Sequence, residues 1–286
     1  MILRDVEIPK EVKEADVLVL SHSGGADSMA AAAVLKRYGL LHKTIFVHSD
    51  LGVMEWESME AWIESNIWGN PLHVVQAKES FFELVRRYKR LPSGMQQFCT
   101  DFLKTKPIRD FIHQYMYDNN LKTAINITGM RAEEGKKKNG ELTRRGKKAF
   151  FSISKGDNTS NMHQPMKHSS HTIYDWLPLK HHLHQEVRDE ITNVDQSLHW
   201  VYTKLGFSRL SCAICINGRV SEHQTAIKEK PELAYQMAKL EIEIGKTLRL
   251  KSRKGVRHKR YLFEESEELT NKLMEEVPNL LDLVTQ

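Results

Sequence analysis

Residues 16–36 place an apolar run, a glycine turn and an alanine-rich stretch in immediate succession, and few folds accommodate that order. Asp16-Val17-Leu18-Val19-Leu20-Ser21 ends almost at once in Ser23-Gly24-Gly25-Ala26-Asp27-Ser28, and Ser28 to Lys36 follows without a linker. The short run of branched apolar residues predicts a strand buried on both faces. The alanine-rich stretch predicts a helix, with Gly39 supplying a stop. Gly24 and Gly25 permit close backbone approach and unusual dihedrals. The helix start then offers unpaired N–H groups and a positive dipole end beside the strand terminus. That junction is built for an anion, and phosphate is the natural one.

The same alternation continues along the chain. Lys43 to His48 reads as a second strand, followed by Asp50-Leu51-Gly52 and a helix from about Glu57 to Ser65. Leu72 to Val75 reads as a third strand, followed by a helix near Phe81 to Tyr88. A longer helix is expected over Lys106 to Tyr117, with Pro107 in its first turn, and a fourth strand over Thr123 to Thr128, ending at Gly129. Strand and helix in alternation imply an open parallel α/β sheet with helices on both faces, whose ligands sit at the carboxyl ends of the strands. Residues 134–171 are charged and rich in Gly, Ser and Asn, which predicts a long, partly mobile loop. Order is expected to resume at Trp176-Leu177-Pro178-Leu179. Beyond it the chain reads as mainly helical, with Glu232 to Leu248 its clearest amphipathic segment. The expected division is a nucleotide-binding α/β domain over 1–179 and a helical region over 180–286.

Composition narrows the class. The chain has 286 residues, 40% of them hydrophobic, enough for a packed core. It contains no apolar run of the ~18 residues that would suggest a membrane span, and its start lacks a secretory layout. The expectation is a soluble cytoplasmic protein. A net charge of +5 suits an anionic small molecule or a nucleic acid equally. Two basic stretches stand out, Lys136 to Lys148 and Lys251 to Arg260. The first could meet polynucleotide phosphates, cover the nucleotide's own phosphates, or simply be solvated.

Within the glycine loop, Ser23 and Ser28 add hydroxyl donors. Asp27 is the exception, because a carboxylate beside phosphate repels unless a cation intervenes. Mg²⁺ binding is one role for it, and capping the helix is the other. No Gly-Lys-Ser/Thr follows, so this is not a Walker A loop. Ser-Gly-Gly-x-Asp-Ser after a first strand resembles the PP-loop adenine nucleotide α-hydrolase-like superfamily, whose members commonly cleave ATP between the α and β phosphates or bind sulfonucleotides made that way. His48-Ser49-Asp50-Leu51-Gly52 with Glu57, Gly129-Met130-Arg131-Ala132-Glu133-Glu134, and Asp175-Trp176-Leu177-Pro178-Leu179 with Glu186-Val187 resemble segments of its phosphoadenosine phosphosulfate (PAPS) reductase-like branch, in the branch's order. The resemblance implies a Rossmann-like nucleotide site formed by Ser23, Gly24, Gly25, Ala26, Asp27, Ser28, His48, Ser49, Asp50, Gly52, Gly129 and Arg131. Arg131 could present a fork to phosphate or sulfate oxygens; its alternative is an ion pair with Glu133 or Glu134.

The three cysteines are Cys99, Cys212 and Cys215. An odd count argues against a disulfide framework, while Cys212-Ala-Ile-Cys215 can chelate a soft metal or act as a redox couple. With Cys99 it offers three thiolates, one short of a closed zinc or iron–sulfur site. The segments around Cys99 to Lys104 and Gly206 to Cys215 resemble family members tied to sulfur transfer, the phosphorothioate-DNA and tRNA-thiolation enzymes. Metal-free PAPS reductases carry a later C-terminal cysteine nucleophile, and no cysteine follows Cys215. Iron–sulfur adenylyl-sulfate reductases normally add an adjacent cysteine pair, also missing here. His163, His168, His171, His181, His182 and His184 are irregularly spaced and suit a solvated segment better than a metal site.

The resulting expectation is an ATP-dependent sulfurtransferase. ATP would adenylate an acceptor oxygen, and a sulfur donor held at Cys99, Cys212 and Cys215 would displace AMP. Asp27, Arg131, Lys104 and Cys99 would carry the chemistry. Mg²⁺ and a [4Fe–4S] cluster, with zinc as the alternative, are the implied cofactors. DNA or tRNA is the candidate acceptor, beside a sulfur- or electron-donating partner. The rival readings are a PAPS or adenylyl-sulfate reductase releasing sulfite, and a non-catalytic nucleotide or nucleic-acid binding module with a structural metal.

Overall fold

A computed structural model describes residues 3–93, 96–135, 162, 166–167, 170–210, 212–253 and 256–277. The basic run from Lys136 to Lys148, His163, His168 and most of the expected long loop lie outside the described residues. A short helix α1 (Lys10–Glu14) leads into β1 (Val17–Ser21), then α2 (Ala26–Arg37), β2 (Thr44–Asp50), α3 (Met59–Ser65), β3 (Leu72–Gln76) and α4 (Phe81–Tyr88). A helical run follows, made of α5 (Phe98–Thr100), a π-helical turn at Asp101–Thr105 and α6 (Lys106–Asp118), before β4 (Thr123–Ile127). After β5 (Met166–Lys167) and β6 (Thr172–Trp176) come α7 (His184–Asn193), α8 (Trp200–Thr203), α9 (Val220–Glu229) and α10 (Pro231–Ile244). A β7 (Arg249–Arg253) and β8 (Val256–Arg260) ribbon and α11 (Glu267–Glu276) complete the order.

The strands form one six-stranded sheet in the order β3-β2-β1-β4-β6-β5, parallel except for β5. This is the open, Rossmann-like α/β sheet expected from the alternation. Residue parity in the strands decides which layer each side chain joins. Leu18 and Leu20 of β1 and Ile125 and Ile127 of β4 pack with the buried face of α2, whereas Val17, Val19 and Ala124 pack with Ile112 and Met116 of α6. Each such fully buried leucine, isoleucine, valine or methionine contributes about 1.5–3 kcal/mol relative to exposure. Chain order reverses at β1, which pairs with β2 on one side and β4 on the other, and a crevice opens there at the strand carboxyl ends.

Local signals explain the boundaries. Ser80 and Glu83 form a reciprocal capping box that starts α4, and Pro107 occupies the first turn of α6. Two expectations need correction. β6 falls where order was expected to resume only at Trp176; its residues pair along β4 from Thr123↔Thr172 to Ile127↔Trp176. The helix expected through Leu248 stops at Ile244, because Gly245 turns left-handed (φ 62°) and the Lys246 N–H closes onto the Glu241 carbonyl. The buried Glu241 carboxylate then accepts the Leu248 and Leu262 N–H groups, each at 2.6 Å, and so clasps both ends of the β7–β8 ribbon.

Several tryptophans anchor the core. Trp56 meets Trp200 and Phe207 edge-on at 5.6 and 5.2 Å, Trp62 meets His199, and Trp176 is fully buried. α7 lies along α2, where Arg37 reaches the fully buried Glu190 at 2.6 Å and His182 sits 3.3 Å from the same oxygen. His182 is thereby a packing residue in a buried ion-pair network. No helix of the described residues is long and apolar enough to cross a membrane.

Candidate active site

The glycine loop joins β1 to α2 at the point where chain order reverses. Gly24 has φ +73°, and a Cβ there would run into the Met59 thioether and the Leu210 side chain. Glycine is therefore required on conformational and on spatial grounds. Every loop amide from Ser23 to Ala26 already has an acceptor. The Ser23 N–H reaches the Ser28 hydroxyl (3.2 Å), and the Gly24 N–H reaches Nδ1 of His22 (3.1 Å). The Gly25 N–H leans on the Ser23 hydroxyl (3.4 Å), and the Ala26 N–H reaches the Tyr202 hydroxyl (3.1 Å).

Gly129, at the end of β4, presses against the first turn of α2, where a Cβ would sit 2.5 Å from the Asp27 carbonyl carbon. That approach brings Arg131 beside the loop. Arg131 is 6% exposed; its Nε donates to Asp27 (2.7 Å) and its Nη1 to Glu133 (2.6 Å). The ion pair with Glu133, one of the two alternatives for this residue, is thus formed, and Asp27 joins it. Asp50 turns its carboxylate to the Gly52 N–H (2.7 Å) and the Gln76 amide (2.5 Å), where it shapes the turn after β2. Asp50, Gly52, Gly129 and Arg131 flank the central cavity without lining it.

The cavity, about 330 Å³, opens over the carboxyl ends of β1, β2, β4 and β6. Ser23, His48, Ser49 and Lys104 line it, as do Met59, Ile108, Leu177 and Leu210 on its apolar walls. The sequence reading missed several of its polar groups. Ser21, Asn126 and Asp175 form a row across three neighbouring strands: the Ser21 hydroxyl donates to Asn126 (3.2 Å), and the Asn126 amide donates to Asp175 (2.6 Å). The parity of strand positions was the available signal for them. His22 was also passed over. Burial, and then the nearby His48, push its pKa down to about 3, so it is neutral. Since Nδ1 accepts from Gly24, the proton lies on Nε2, which is buried with no partner among the described residues.

His48 has the opposite setting. Burial works against its charge, but hydrogen bonding and attraction to Glu55 (3.0 Å) outweigh that and raise its pKa. Its Nδ1 meets the His22 carbonyl at 2.9 Å. Glu55, rather than the Glu57 picked from sequence, is the carboxylate in the cavity wall.

Cys99 in one segment and Cys212 and Cys215 in another, far along the chain, lie within electrostatic reach of one another. Burial raises the Cys212 thiol to about 11, countered by the Lys104 ammonium. Cys99 is raised too, by burial and then by Cys215, again with Lys104 opposing. Lys104 leaves the π-helical turn and belongs both to the cavity wall and to the thiol neighbourhood. Such turns recur at functional sites because they re-aim side chains. The Cys212 segment is anchored by the Ala213 N–H on the Met54 carbonyl (2.9 Å), and by Nε2 of the buried His223 on the Cys215 carbonyl (2.7 Å). As they stand, no three or more His, Cys, Asp and Glu side chains among the described residues are grouped to hold a metal ion.

Residues 17–217 match the phosphoadenosine phosphosulfate reductase domain, a span that runs from β1 to just past Cys215. The chain belongs to that family. Among solved structures, it is similar to phosphoadenylyl-sulfate (PAPS) reductase from Candida auris, determined as a phosphate complex, at 12% identity and a TM-score of 0.41, covering 70% of this chain and 83% of that one. FMN adenylyltransferase from Candida glabrata is similar at 14% identity and a TM-score of 0.35, covering 70% of this chain and 53% of that one. No curated protein sequence matches. Membership of the PAPS reductase family makes this a PP-loop, nucleotide-binding fold tied to sulfur chemistry.

Proposed function

We propose that this PAPS reductase family member is a cytoplasmic enzyme that binds ATP across the end of β1 and transfers sulfur to an adenylated acceptor. The observation that carries the reading is Lys104, which lines the cavity and lies within electrostatic reach of Cys99 and Cys212. The acceptor oxygen attacks the α-phosphate of ATP and pyrophosphate leaves; sulfur then attacks the activated centre and AMP leaves. Loop amides and Lys104 oppose the negative charge that develops at phosphorus. Asp27 keeps one carboxylate oxygen on Arg131 and has its second for Mg²⁺. The division into a nucleotide-binding part (1–179) and a helical part (180–286) fits this use, with the Cys212–Cys215 segment supplied by the second.

The donor chemistry of three thiols suits a soft metal or a [4Fe–4S] cluster, which would deliver sulfur or electrons, and zinc would activate thiolates instead. The thiols do not enclose such a group as placed, so no step above depends on it. The β7–β8 ribbon supports DNA or tRNA as acceptor: residues 245–263 include Arg249, Lys251, Arg253, Arg257, Lys259 and Arg260 and no acidic residue. Family membership favours a second reading, a sulfonucleotide reductase that releases sulfite from PAPS or its non-phosphorylated relative.

Anaerobically purified protein decides between them. AMP and pyrophosphate formation from ATP, dependent on added DNA or tRNA and lost in Cys212→Ala, supports sulfur transfer. Sulfite from PAPS with a thiol donor and no ATP supports the reductase. Nucleotide binding without either turnover leaves a binding module and overturns both. Iron and labile sulfide in the wild type but not in Cys212→Ala would establish the cluster; zinc alone, or no metal, would remove it.

A further inference from the structure

Tyr202 stands where the two halves of the site meet. It lies on α8, far from the glycine loop in sequence, yet its hydroxyl accepts the Ala26 N–H at 3.1 Å. The same oxygen accepts the Leu210 N–H at 2.8 Å, two residues before Cys212. Both bonds use the phenol's lone pairs. Accepting twice leaves the phenol's own proton available, and no hydrogen bond donated by it is formed among the described residues. The Leu210 side chain packs over Gly24, and its carbonyl lies 3.5 Å from where a Gly25 Cβ would project, so the two segments are in contact around this phenol. Burial, the dominant influence, raises the pKa of the hydroxyl, with Asp27 adding to it and the two accepted N–H groups opposing it.

The Ala26 N–H begins α2 and is one of the donors an oxyanion at this loop would claim. We propose that Tyr202 is a positioning residue that couples occupation of the loop to the setting of the Cys212–Cys215 segment. An incoming phosphate oxygen takes the Ala26 N–H from the phenol. The phenol turns its free proton onto that oxygen and carries the Leu210 N–H with it. The segment ahead of Cys212 is then held differently in the loaded and empty states. The inference rests on nucleotide binding at the glycine loop and goes beyond it, because it assigns to one hydroxyl the link between nucleotide and thiols.

The test measures alkylation of Cys212 and Cys215 by iodoacetamide, read by peptide mass, with and without ATP or PAPS. In the wild type, saturating nucleotide should change the rate by about fivefold or more, the lower range of ordinary site–site coupling. In Tyr202→Phe, nucleotide affinity by calorimetry should fall by about tenfold, the loss of one hydrogen bond to a charged oxygen. At saturating nucleotide, the alkylation change should disappear. A purely structural phenol would alter stability without abolishing the nucleotide response. As a check that needs no destabilising variant, fluorotyrosine at position 202 in otherwise unchanged protein should show a nucleotide-dependent fluorine shift. Wild-type binding with no change in alkylation, a change that Tyr202→Phe preserves, or a silent fluorine signal overturns the coupling and leaves nucleotide binding standing. No heat with either nucleotide overturns both.

Discussion

The contact between Gly129 and the first turn of α2 sets up a graded test with three glycines. A Cβ at position 129 would lie 2.5 Å from the Asp27 carbonyl carbon and 3.0 Å from its Cβ. Relaxed carbon–carbon separations are about 3.5–4.0 Å, so α2 and the end of β4 would have to part by about 1 Å. Neither side can yield by a rotamer change, because the nearest atoms are backbone. Overpacking of this kind costs about 1–3 kcal/mol, and Gly129→Ala belongs at the upper end. The same displacement pulls Arg131 away from Asp27 and the loop, so nucleotide affinity should fall by tenfold or more (about 1.4 kcal/mol). Gly24→Ala combines a left-handed φ, a penalty of about 1 kcal/mol, with a clash against the Met59 side chain, which can move. Gly25→Ala is the internal control. Its φ is −77° and its nearest contacts would be 3.4 Å, so its stability should stay within about 0.5 kcal/mol of wild type. Urea unfolding with calorimetric titration of ATP measures all three. A Gly129→Ala protein as stable as wild type, or a Gly25→Ala protein destabilised as much as Gly129→Ala, refutes the packing argument.

Two further predictions concern pH. His48 titrates above its ordinary 6.5 in the folded chain because Glu55 faces it, so the pair's stabilisation is complete below about 6.5 and is lost as pH rises through the elevated folded value. Urea unfolding should therefore show Glu55→Gln to be more destabilising at pH 5.5 than at pH 9, with a difference on the order of 1 kcal/mol; an equal deficit at both would refute it. Glu241 titrates near 7 because burial penalises its charge, against an unfolded value of 4.5. The folded chain binds the extra proton between those values, so stability should decline as pH climbs from 4.5 to 7, and Glu241→Gln should flatten that decline. Thermal melts across the interval that keep the same slope in the variant would remove Glu241 as its source.

The sheet was legible because its strands carry a single-purpose pattern. Val17, Leu18, Val19 and Leu20 have no polar face to hide, and a glycine pair and an alanine-rich helix start bracket them. β6 was harder to see: Thr172-Ile-Tyr-Asp-Trp176 mixes polar and aromatic residues, since Asp175 serves the cavity and not the core. The β7–β8 ribbon was hidden by its charge, and its location depends on a carboxylate in the preceding helix. Within the site, proximity in sequence favoured Ser23–Ser28 and the Cys212–Cys215 pair. Glu55, Asn126, Asp175 and Tyr202 act through partners between 7 and 176 residues away, a relation no local pattern encodes.

The glycine loop satisfies its own amides, and this bears on how the protein would behave amid the inorganic phosphate of a living cell. A bare oxyanion arriving there must first break those hydrogen bonds, which offsets much of what its own charge-assisted bonds supply. Only a molecule that also fills the greasy chamber next door recovers enough to displace His22, Ser23 and Tyr202 together. Free phosphate would then be a feeble competitor, and selectivity for a whole nucleotide would come from what the empty loop already holds.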